Sequence, residues 1–392
     1  MNKSIQLFIS VIFLSNCMSP TRSRDYFGQA YPDTTPVIFA PNVISKMGRL
    51  EHGISFTPGG RELIFGILSK DDWSGEIFYS EKVNEKWSKP LLFEPLKNKS
   101  VYLPYFSPDG KSLLYAQSKS VTDNINTDIW MLSKINGEWS IPTLLLDPIR
   151  SKGREANASM TYDGTIYFSS NRNCYGKDDC YTADLFYSRQ KDNRYQEGHV
   201  ISKLSSSNDE ESVFISPKEE YLIFCRYTDY KTAADLYISY RDIHKNWIEP
   251  QRIDSTINSK DWDRRPYVSI DNKFLFFTRL QIVENRLAES DIFWVSTSRL
   301  FKPFVFHAIP DITVQVGTAF EISLPKDHFR DIDDEKLRYA ISQNPPAWLN
   351  FDREKMILSG LPTAEGEFEL TLTATDQSSN RTDSKIRITV KK

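Results

Sequence analysis

Short apolar runs, each preceded by a polar turn, recur between Gly48 and Phe301 with a period of about 50 residues. The turns read FTPGG, FSPDG, MTYDG, ISPKE and VSIDN, from positions 56, 106, 160, 215 and 268. The runs that follow are ELIFGIL, SLLYAQS, TIYFSS, YLIFCR and FLFFTR. Their aromatic and β-branched content predicts buried strands. One structural unit is therefore repeated along most of the chain.

Each repeat carries signals for four strands. The first strand precedes the turn, the second is the apolar run, and the third follows an acidic residue in EIFYS, DIWML, DLFYS, DLYIS and DIFWV. A fourth strand opens with an aromatic residue, at Trp87, Trp139, Tyr195 and Trp247. Repeats of this length and pattern predict an all-β protein built as a five-bladed β-propeller.

The last repeat lacks a fourth strand of its own, whereas residues 32–45 carry the fourth-strand pattern ahead of the first repeat. We therefore expect this segment to pair as the outermost strand of the fifth blade and to close the ring, which removes open sheet edges. Six blades are the alternative, if part of the N-terminal segment forms a rudimentary blade. The propeller is assigned to residues 32–304.

The composition suits a large core and more than one domain, since 40% of the 392 residues are hydrophobic and 13% are aromatic. After Pro303 the strands alternate between polar and apolar positions, which predicts a small β-sandwich over residues 308–392. The formal net charge of −3 shows no basic excess, so we expect no nucleic-acid partner.

Residues 1–17 have the order of a secretion signal: Lys3, then the apolar stretch IQLFISVIFL, then LSNC. LSNC resembles a bacterial lipobox, which implies a lipid on Cys17, although Asn16 departs from the usual small residue. Two interpretations stay open, an envelope lipoprotein anchored in the membrane through Cys17 or a secreted protein with a free Cys17. Residues 18–31 would be a tether.

Export bears on the remaining cysteines. Cys174 and Cys180 flank YGKDD in one loop, and an oxidising compartment favours a disulfide between them. A metal site is the alternative, but the loop offers no histidine as a further ligand. Cys225 lies within an apolar strand and is expected to be buried.

The SPDG turn and the acid-aromatic strand that follows it resemble the repeats of the TolB-type, WD40-like propeller family, over residues 33 to about 301. The resemblance implies a binding scaffold in the bacterial envelope. The stretch HFRDIDDEKLRYAIS and the later LSGLPTAEGEFELTLTATD resemble the dystroglycan-type cadherin-like domain, also described as immunoglobulin-like. This second resemblance implies adhesion or spacing, sometimes with calcium.

Calcium is the one cofactor that the sequence raises. Three aspartates lie in a DIDD turn and a fourth ends the later TATD strand, and hard oxygen ligands of this kind suit the ion. An acidic surface turn without metal is the alternative. The candidate ligands are Asp331, Asp333, Asp334 and Asp376.

Polar residues also recur where each first strand begins, and first strands line the channel of a propeller. The equivalent positions hold Glu51, Val101, Glu155, Glu210 and Asp263, followed by His52, Tyr102, Ala156, Glu211 and Arg264. With Arg154 and Arg265, these residues are expected to ring one channel mouth. The ring is either a solvated channel or a ligand site. Basic residues that end the second strands, such as Arg226, are expected to pair with the acids that begin the third strands, such as Asp235.

The sequence thus predicts a non-enzymatic envelope scaffold that binds a protein or a glycan through the channel mouth and loops. The loop of residues 172–183 is the favoured contact, and the C-terminal module is an adhesive or spacer arm. The alternative is a glycoside hydrolase that uses paired carboxylates at the propeller centre. Its candidate catalytic residues are Glu51, Glu155, Glu210 and Asp263.

Overall fold

The computed structural model describes residues 26–120, 123–177, 182–192, 194–229, 233–284, 286–341 and 345–392. Strands dominate this part of the chain, and its helical residues form two short 3-10 turns, Glu94–Leu96 and Thr297–Arg299. The protein is therefore all-β, as predicted. Within the same ranges, no helix has the length and apolar character needed to cross a bilayer. Residues 1–17 with Cys17, most of the 18–31 tether, and Cys180 lie outside the described residues.

The strands follow one another in repeated groups. The N-terminal strand and the first two groups are β1 (Val37–Ile38), β2 (Leu50–Phe56), β3 (Glu62–Leu68), β4 (Gly75–Val83), β5 (Lys86–Trp87), β6 (Leu91–Leu92), β7 (Val101–Phe106), β8 (Ser112–Ser120), β9 (Asp123–Ile135), β10 (Glu138–Trp139) and β11 (Thr143–Leu144). The next three groups are β12 (Glu155–Met160), β13 (Ile166–Ser170), β14 (Asp184–Ser188), β15 (Gln190–Lys191), β16 (Arg194–Tyr195), β17 (His199–Val200), β18 (Asp209–Ile215), β19 (Tyr221–Asp229), β20 (Ala233–Tyr240), β21 (Gln251–Arg252), β22 (Trp262–Val268), β23 (Phe274–Val283) and β24 (Arg286–Ser296).

Antiparallel pairing joins these strands into five units of four strands. The units are β2-β3-β4-β6, β7-β8-β9-β11, β12-β13-β14-β17, β18-β19-β20-β21 and β22-β23-β24-β1. In the last unit the N-terminal strand β1 pairs with β24, Val37 opposite Trp294 and Ile38 opposite Phe293. The predicted closure of the ring by the N-terminal segment is thus confirmed, while the total number of blades stays a prediction.

Aromatic pairs between the second and third strands fill the units. Rings stack at centroid distances of 5.7 to 5.9 Å in four of the five units, as Phe65–Phe78, Phe168–Phe186, Phe224–Tyr237 and Phe277–Phe293. Cross-strand aromatic pairs of this kind stabilise a sheet beyond the area that they bury. The apolar runs of the sequence therefore form the core of the propeller.

A β-bulge interrupts the first strand of every unit. The pairing register shifts at the same place in β2, β7, β12, β18 and β22. One residue at each bulge has a left-handed φ between 54° and 58°, namely Gly53, Leu103, Asn157, Ser212 and Arg265. A bulge bends its strand and changes the direction of the local side chains. All five bulge residues line one narrow space at the centre of the ring.

The C-terminal segment forms a separate β-sandwich. Its strands are β25 (Phe304–Val305), β26 (Ile312–Gln315), β27 (Phe320–Ser323), β28 (Phe329–Arg330), β29 (Arg338–Ile341), β30 (Leu349–Asp352), β31 (Ile357–Gly360), β32 (Gly366–Thr375) and β33 (Arg381–Lys391). One sheet has the order β26-β33-β32-β29 and the other β27-β31-β30, and they enclose a core of their own.

The junction between the sandwich and the propeller is made by direct contacts. The side-chain amide of Asn380 donates hydrogen bonds to the carbonyl oxygens of Ser298 and Phe301, at 3.2 and 3.1 Å. The rings of Tyr240 and Phe304 are stacked, with centroids 4.3 Å apart and planes within 4° of parallel. These contacts fix the position of the sandwich on the propeller.

Candidate functional site

A cavity of about 550 Å³ lies at the channel mouth where the first strands begin, and all five units contribute to its lining. Its aromatic lining residues are Trp73, Tyr102, Tyr175, Tyr227 and Trp262. Its charged lining residues are Arg154, Asp209, Glu211, Arg264 and Arg265. Three amide side chains, Asn126, Asn157 and Asn171, complete the polar part of the wall. The volume falls in the range of small-molecule sites.

The channel narrows beyond this cavity. The space between the bulge residues holds about 40 Å³, and the space at the opposite mouth holds about 10 Å³. Four aromatic side chains, Phe56, Tyr105, Phe214 and Tyr267, pack together at that mouth with prolines of the turns around them. A ligand of the large cavity would therefore enter from the side where the first strands begin.

The acids that were expected to ring the mouth do not line the cavity. Glu51, Glu155, Glu210 and Asp263 are each 0% exposed and are not part of its wall. Successive residues of a strand point to opposite faces, so the residue after each acid lies on the other face of its strand. Tyr102, Ala156, Glu211 and Arg264 occupy that next position and do line the cavity. The prediction placed both residues of each pair at the mouth and was wrong for the four acids and for His52, which also lies outside the lining.

In the fifth unit the buried acid belongs to a local network. The backbone N–H and the hydroxyl of Ser259 donate to Asp263 Oδ2 at 2.6 and 2.8 Å. Arg279 Nε donates to Asp263 Oδ1 at 2.7 Å, and Arg279 Nη2 donates to the carbonyl of Ile257 at 2.7 Å. The guanidinium also lies over the rings of the second and third strands. We call this arrangement the acid–serine–arginine latch.

The latch recurs in the third and fourth units. Its members there are Ser151, Glu155 and Arg172, and Ser206, Glu210 and Arg226. The second-strand arginines thus pair with first-strand acids. The expected partner of Arg226, Asp235, instead accepts two hydrogen bonds from Arg252 at 2.8 Å. The second unit, which has Val101 at the acid position, keeps the expected type of pair, Lys119 with Asp128 at 3.2 Å.

Burial dominates the electrostatics of these acids. It raises the pKa of Glu155, Glu210 and Asp263 above the ordinary value, against the opposing effect of the arginines and serines. Burial also raises the pKa of Glu51 to about 7, although Arg49 Nε donates to its carboxylate at 2.6 Å. The four acids therefore belong to networks within their own units, at sites that the cavity does not reach.

The arginines of the cavity have different partners. Arg154 forms an ion pair with Glu211, a residue of the next unit. Arg264 Nη1 donates to the hydroxyl of Tyr227 at 3.3 Å, and Arg265 Nη1 donates to His52 Nδ1 at 2.8 Å. His52 is itself 0% exposed and lies behind Arg265, outside the cavity lining. The predicted residues Tyr102, Arg154, Glu211, Arg264 and Arg265 are therefore brought together around one space.

The aromatic wall was largely missed from the sequence. The Tyr102 hydroxyl donates to the carbonyl of Trp73 at 2.9 Å, which holds the loop after β3 at the rim. The rings of Tyr227 and Trp262 meet edge to face, with centroids 5.1 Å apart. Tyr227 and Trp262 directly neighbour the latch residues Arg226 and Asp263, and this adjacency was the signal available. Trp73 occurs at no equivalent position in other repeats.

The loop of residues 172–183 reaches the cavity through Tyr175. Cys174 is disulfide-bonded, but Cys180 lies outside the described residues, so the pairing of the two stays a prediction. Cys225 is a buried free thiol, as predicted.

The four aspartates of the sandwich lie near one another, since burial and then the charges of Asp376 and Asp334 raise the pKa of Asp333. Asp334 accepts hydrogen bonds from the backbone and side chain of Gln377, at 2.7 and 3.0 Å, and Asp376 accepts two from Asn380. Asp331 and Asp333 interact with each other, and burial is the main cause that raises the pKa of Asp331 to about 8. Among the described residues, no three His, Cys, Asp or Glu side chains are arranged to hold a metal ion. Calcium binding by these aspartates therefore stays a prediction.

Residues 302–391 match the family model described as "Putative Ig domain". The C-terminal sandwich is therefore an immunoglobulin-like domain, as its second resemblance implied. No curated protein matches the sequence significantly.

Three solved structures are similar to the propeller. TolB from Acinetobacter baumannii has 13% identity and a TM-score of 0.39, over 63% of this chain and 57% of that one. A glycoside hydrolase has 11% identity and a TM-score of 0.44, over 67% and 91%. A gluconolactonase from Xanthomonas campestris has 11% identity and a TM-score of 0.39, over 68% and 87%. The chain thus spans little more than half of the TolB chain.

These neighbours correct one expectation. The sequence predicted a protein that is not an enzyme, and this prediction is contradicted because a glycoside hydrolase and a gluconolactonase are among the similar structures. At 11% identity neither assigns its reaction to this chain.

Proposed function

We propose that the protein binds a glycan in the large cavity at the channel mouth. The observation that carries this proposal is a one-ended cavity of about 550 Å³ whose wall combines aromatic rings with arginine, carboxylate and amide groups. Apolar faces with a few convergent polar groups are typical of small-molecule sites. A sugar presents the matching surfaces, since its C–H faces pack on aromatic rings and its hydroxyls exchange hydrogen bonds with polar side chains.

Trp73 offers the sharpest test, because it is 47% exposed and its removal leaves the core intact. We expect a glycan array to identify a ligand and Trp73→Ala to weaken its binding about tenfold, as loss of an aromatic contact should. The matched control is Tyr162→Ala, which removes a 58% exposed ring from a turn between the first and second strands of the third unit.

A failure of the array with correctly folded protein would contradict the glycan proposal. Capture of a protein partner whose binding is insensitive to Trp73→Ala would instead assign recognition to the outer loops. Titration calorimetry on the purified full chain gives the dissociation constants that separate these outcomes.

The proposal includes a location at the cell envelope. Residues 1–17 have the order of a lipoprotein signal, and Cys17 would carry the lipid. We expect the full chain, expressed in a bacterial host, to incorporate labelled palmitate and Cys17→Ser to incorporate none. Equal labelling of both forms would exclude this anchor. The immunoglobulin-like domain would then act as a spacer or adhesive arm between the membrane and the propeller, or beyond it.

A further inference from the structure

We propose that the ligand of the large cavity is an acidic glycan and that Arg264 and Arg265 bind the carboxylate of a uronic acid unit. This inference rests on the proposed function and specifies the class of sugar. It follows from the hydrogen-bonding groups, the charge balance and the backbone conformation of one wall of the cavity.

The wall formed by the fifth unit has an excess of hydrogen-bond donors. Arg264 Nε, Arg265 Nε and Trp262 Nε1 are buried and have no acceptor among the described residues. All three side chains line the cavity, and Arg264 is only 7% exposed. A buried donor without an acceptor costs about 1–3 kcal/mol, so buried polar groups are nearly always satisfied. Three such donors within four residues favour a ligand rich in acceptor oxygens.

The charges of the cavity point the same way. Its two carboxylates have partners on the protein, since Glu211 is paired with Arg154 and Asp209 accepts a hydrogen bond from the backbone N–H of Ala183. Arg264 and Arg265 contact a tyrosine and a histidine, and within the described ranges neither forms an ion pair with a carboxylate. The wall of the fifth unit therefore carries positive charge that the protein does not neutralise.

Two adjacent guanidinium groups in a largely dry wall are unfavourable without an anion. Burial, together with the neighbouring charge of Arg264, holds the pKa of Arg265 well below its usual range. An Arg–carboxylate pair with two parallel hydrogen bonds would relieve this and is among the strongest contacts that proteins make.

The backbone at Arg265 determines where its side chain lies. Its φ is 57°, in the left-handed region that glycine adopts most easily, and the equivalent residue of the first unit is Gly53. All five units share this conformation at their bulges, so it belongs to the repeated fold. The bulge directs the Arg265 side chain to the cavity wall, which a regular strand would not do at this position.

The test compares ligands and variants by titration calorimetry on the full chain. The ligands are di- and trisaccharides of galacturonate or glucuronate, their neutral counterparts, and succinate as a carboxylate without a sugar. We expect the acidic sugars to bind about 10- to 100-fold more tightly than the neutral ones, as hydrogen bonds to a charged group would give. We expect succinate to bind far more weakly than either acidic sugar.

The variants are Arg264→Gln and Trp262→Phe, with Arg387→Gln as the control. The first should abolish the preference for acidic sugars, and the second should weaken it several-fold while keeping the aromatic ring. The control removes the same charge from an exposed position of the sandwich and should change nothing. Thermal unfolding checks that each variant is folded. If Arg264→Gln does not fold, Arg264→Lys provides a milder change.

Three results would overturn the inference. Equal binding of acidic and neutral sugars, unaffected by Arg264→Gln, would support glycan binding but refute recognition of a carboxylate. If succinate bound as tightly as the acidic sugars, recognition of a carboxylate would be supported and recognition of a sugar would be refuted. Binding of none of the three ligands would refute this inference, while the glycan array would still decide on the proposed function.

Discussion

Arg265 of the fifth unit donates a hydrogen bond to Nδ1 of His52 of the first unit, over 2.8 Å, at the seam where the ring closes. Because an arginine can only donate, Nδ1 is the acceptor and the ring proton lies on Nε2. Burial and the two neighbouring arginines hold the pKa of His52 well below its usual range, so the ring is neutral. The contact between the fifth and first units therefore includes Arg265, which also lines the cavity.

Gly66 makes room for this histidine. A Cβ at position 66 would lie 2.3 to 2.8 Å from three atoms of the His52 ring, which is closer than real contacts allow. We expect Gly66→Ala to lower the free energy of unfolding by about 1–3 kcal/mol, as overpacking does. Urea denaturation gives the value. Gly59→Ala is the control, because a Cβ there meets no atom within 4 Å.

A double mutant identifies the cause. If the clash with His52 is responsible, Gly66→Ala should cost much less in a His52→Ala background. Strict additivity of the two changes would show that Gly66 is needed for some other reason. Binding of the cavity ligand should fall with Gly66→Ala as well, since Arg265 loses its support.

Glu51 should make stability depend on pH. Its pKa is raised from 4.5 to about 7, chiefly by burial, so between these values the folded state binds more protons than the unfolded state. The stabilisation is complete below about pH 4.5 and is lost as the pH rises through 7, by at most about 3 kcal/mol. Relative to the wild type, Glu51→Gln should therefore gain stability between pH 4.5 and 8.

Chemical denaturation at several pH values measures this difference. Glu354→Gln, at an exposed position of the sandwich, should follow the wild type throughout. If the Glu51→Gln curve also ran parallel to the wild type, the carboxyl group would not be titrating in this range.

The repeats made the fold predictable, because every unit carries its own turn, its apolar second strand and its acidic third-strand start. They could not show which of two neighbouring residues faces the channel, since Glu210 and Glu211 are equally acidic and only strand pairing separates them. Glu210 accepts from Arg226 within the blade, while Glu211 lines the cavity. Trp73 could not be predicted for another reason. It occurs in one repeat, and a comparison of repeats identifies only the residues that recur.

The latch in the fifth unit should be strongly coupled. Asp263 is 0% exposed and Arg279 is mostly buried, so loss of one partner leaves the other without its counter-charge. We expect Asp263→Asn and Arg279→Met each to cost about 3–5 kcal/mol, and the double variant to cost clearly less than their sum. The exposed pair Lys385–Glu369, at 2.7 Å, is the control and should contribute at most about 1 kcal/mol. Additive losses at Asp263 and Arg279 would refute the coupling.

Asn380 should determine whether the sandwich and the propeller unfold together. Its amide nitrogen lies within hydrogen-bonding distance of two carbonyl oxygens of the propeller and of Asp376 Oδ2, at 2.6 Å, so its two N–H groups are shared among three acceptors. Asn380 thereby joins the end of β32 to the segment before β25. Asn380→Ala leaves these part-buried acceptors without this donor, which should weaken the junction by about 1–3 kcal/mol. We expect one calorimetric transition in the wild type and two in the variant, with a larger radius of gyration from X-ray scattering.

Asn350→Ala, which removes an exposed amide from β30, should behave as the wild type. If Asn380→Ala kept a single transition and an unchanged radius, the stacked Tyr240 and Phe304 rings would be sufficient to hold the two domains together.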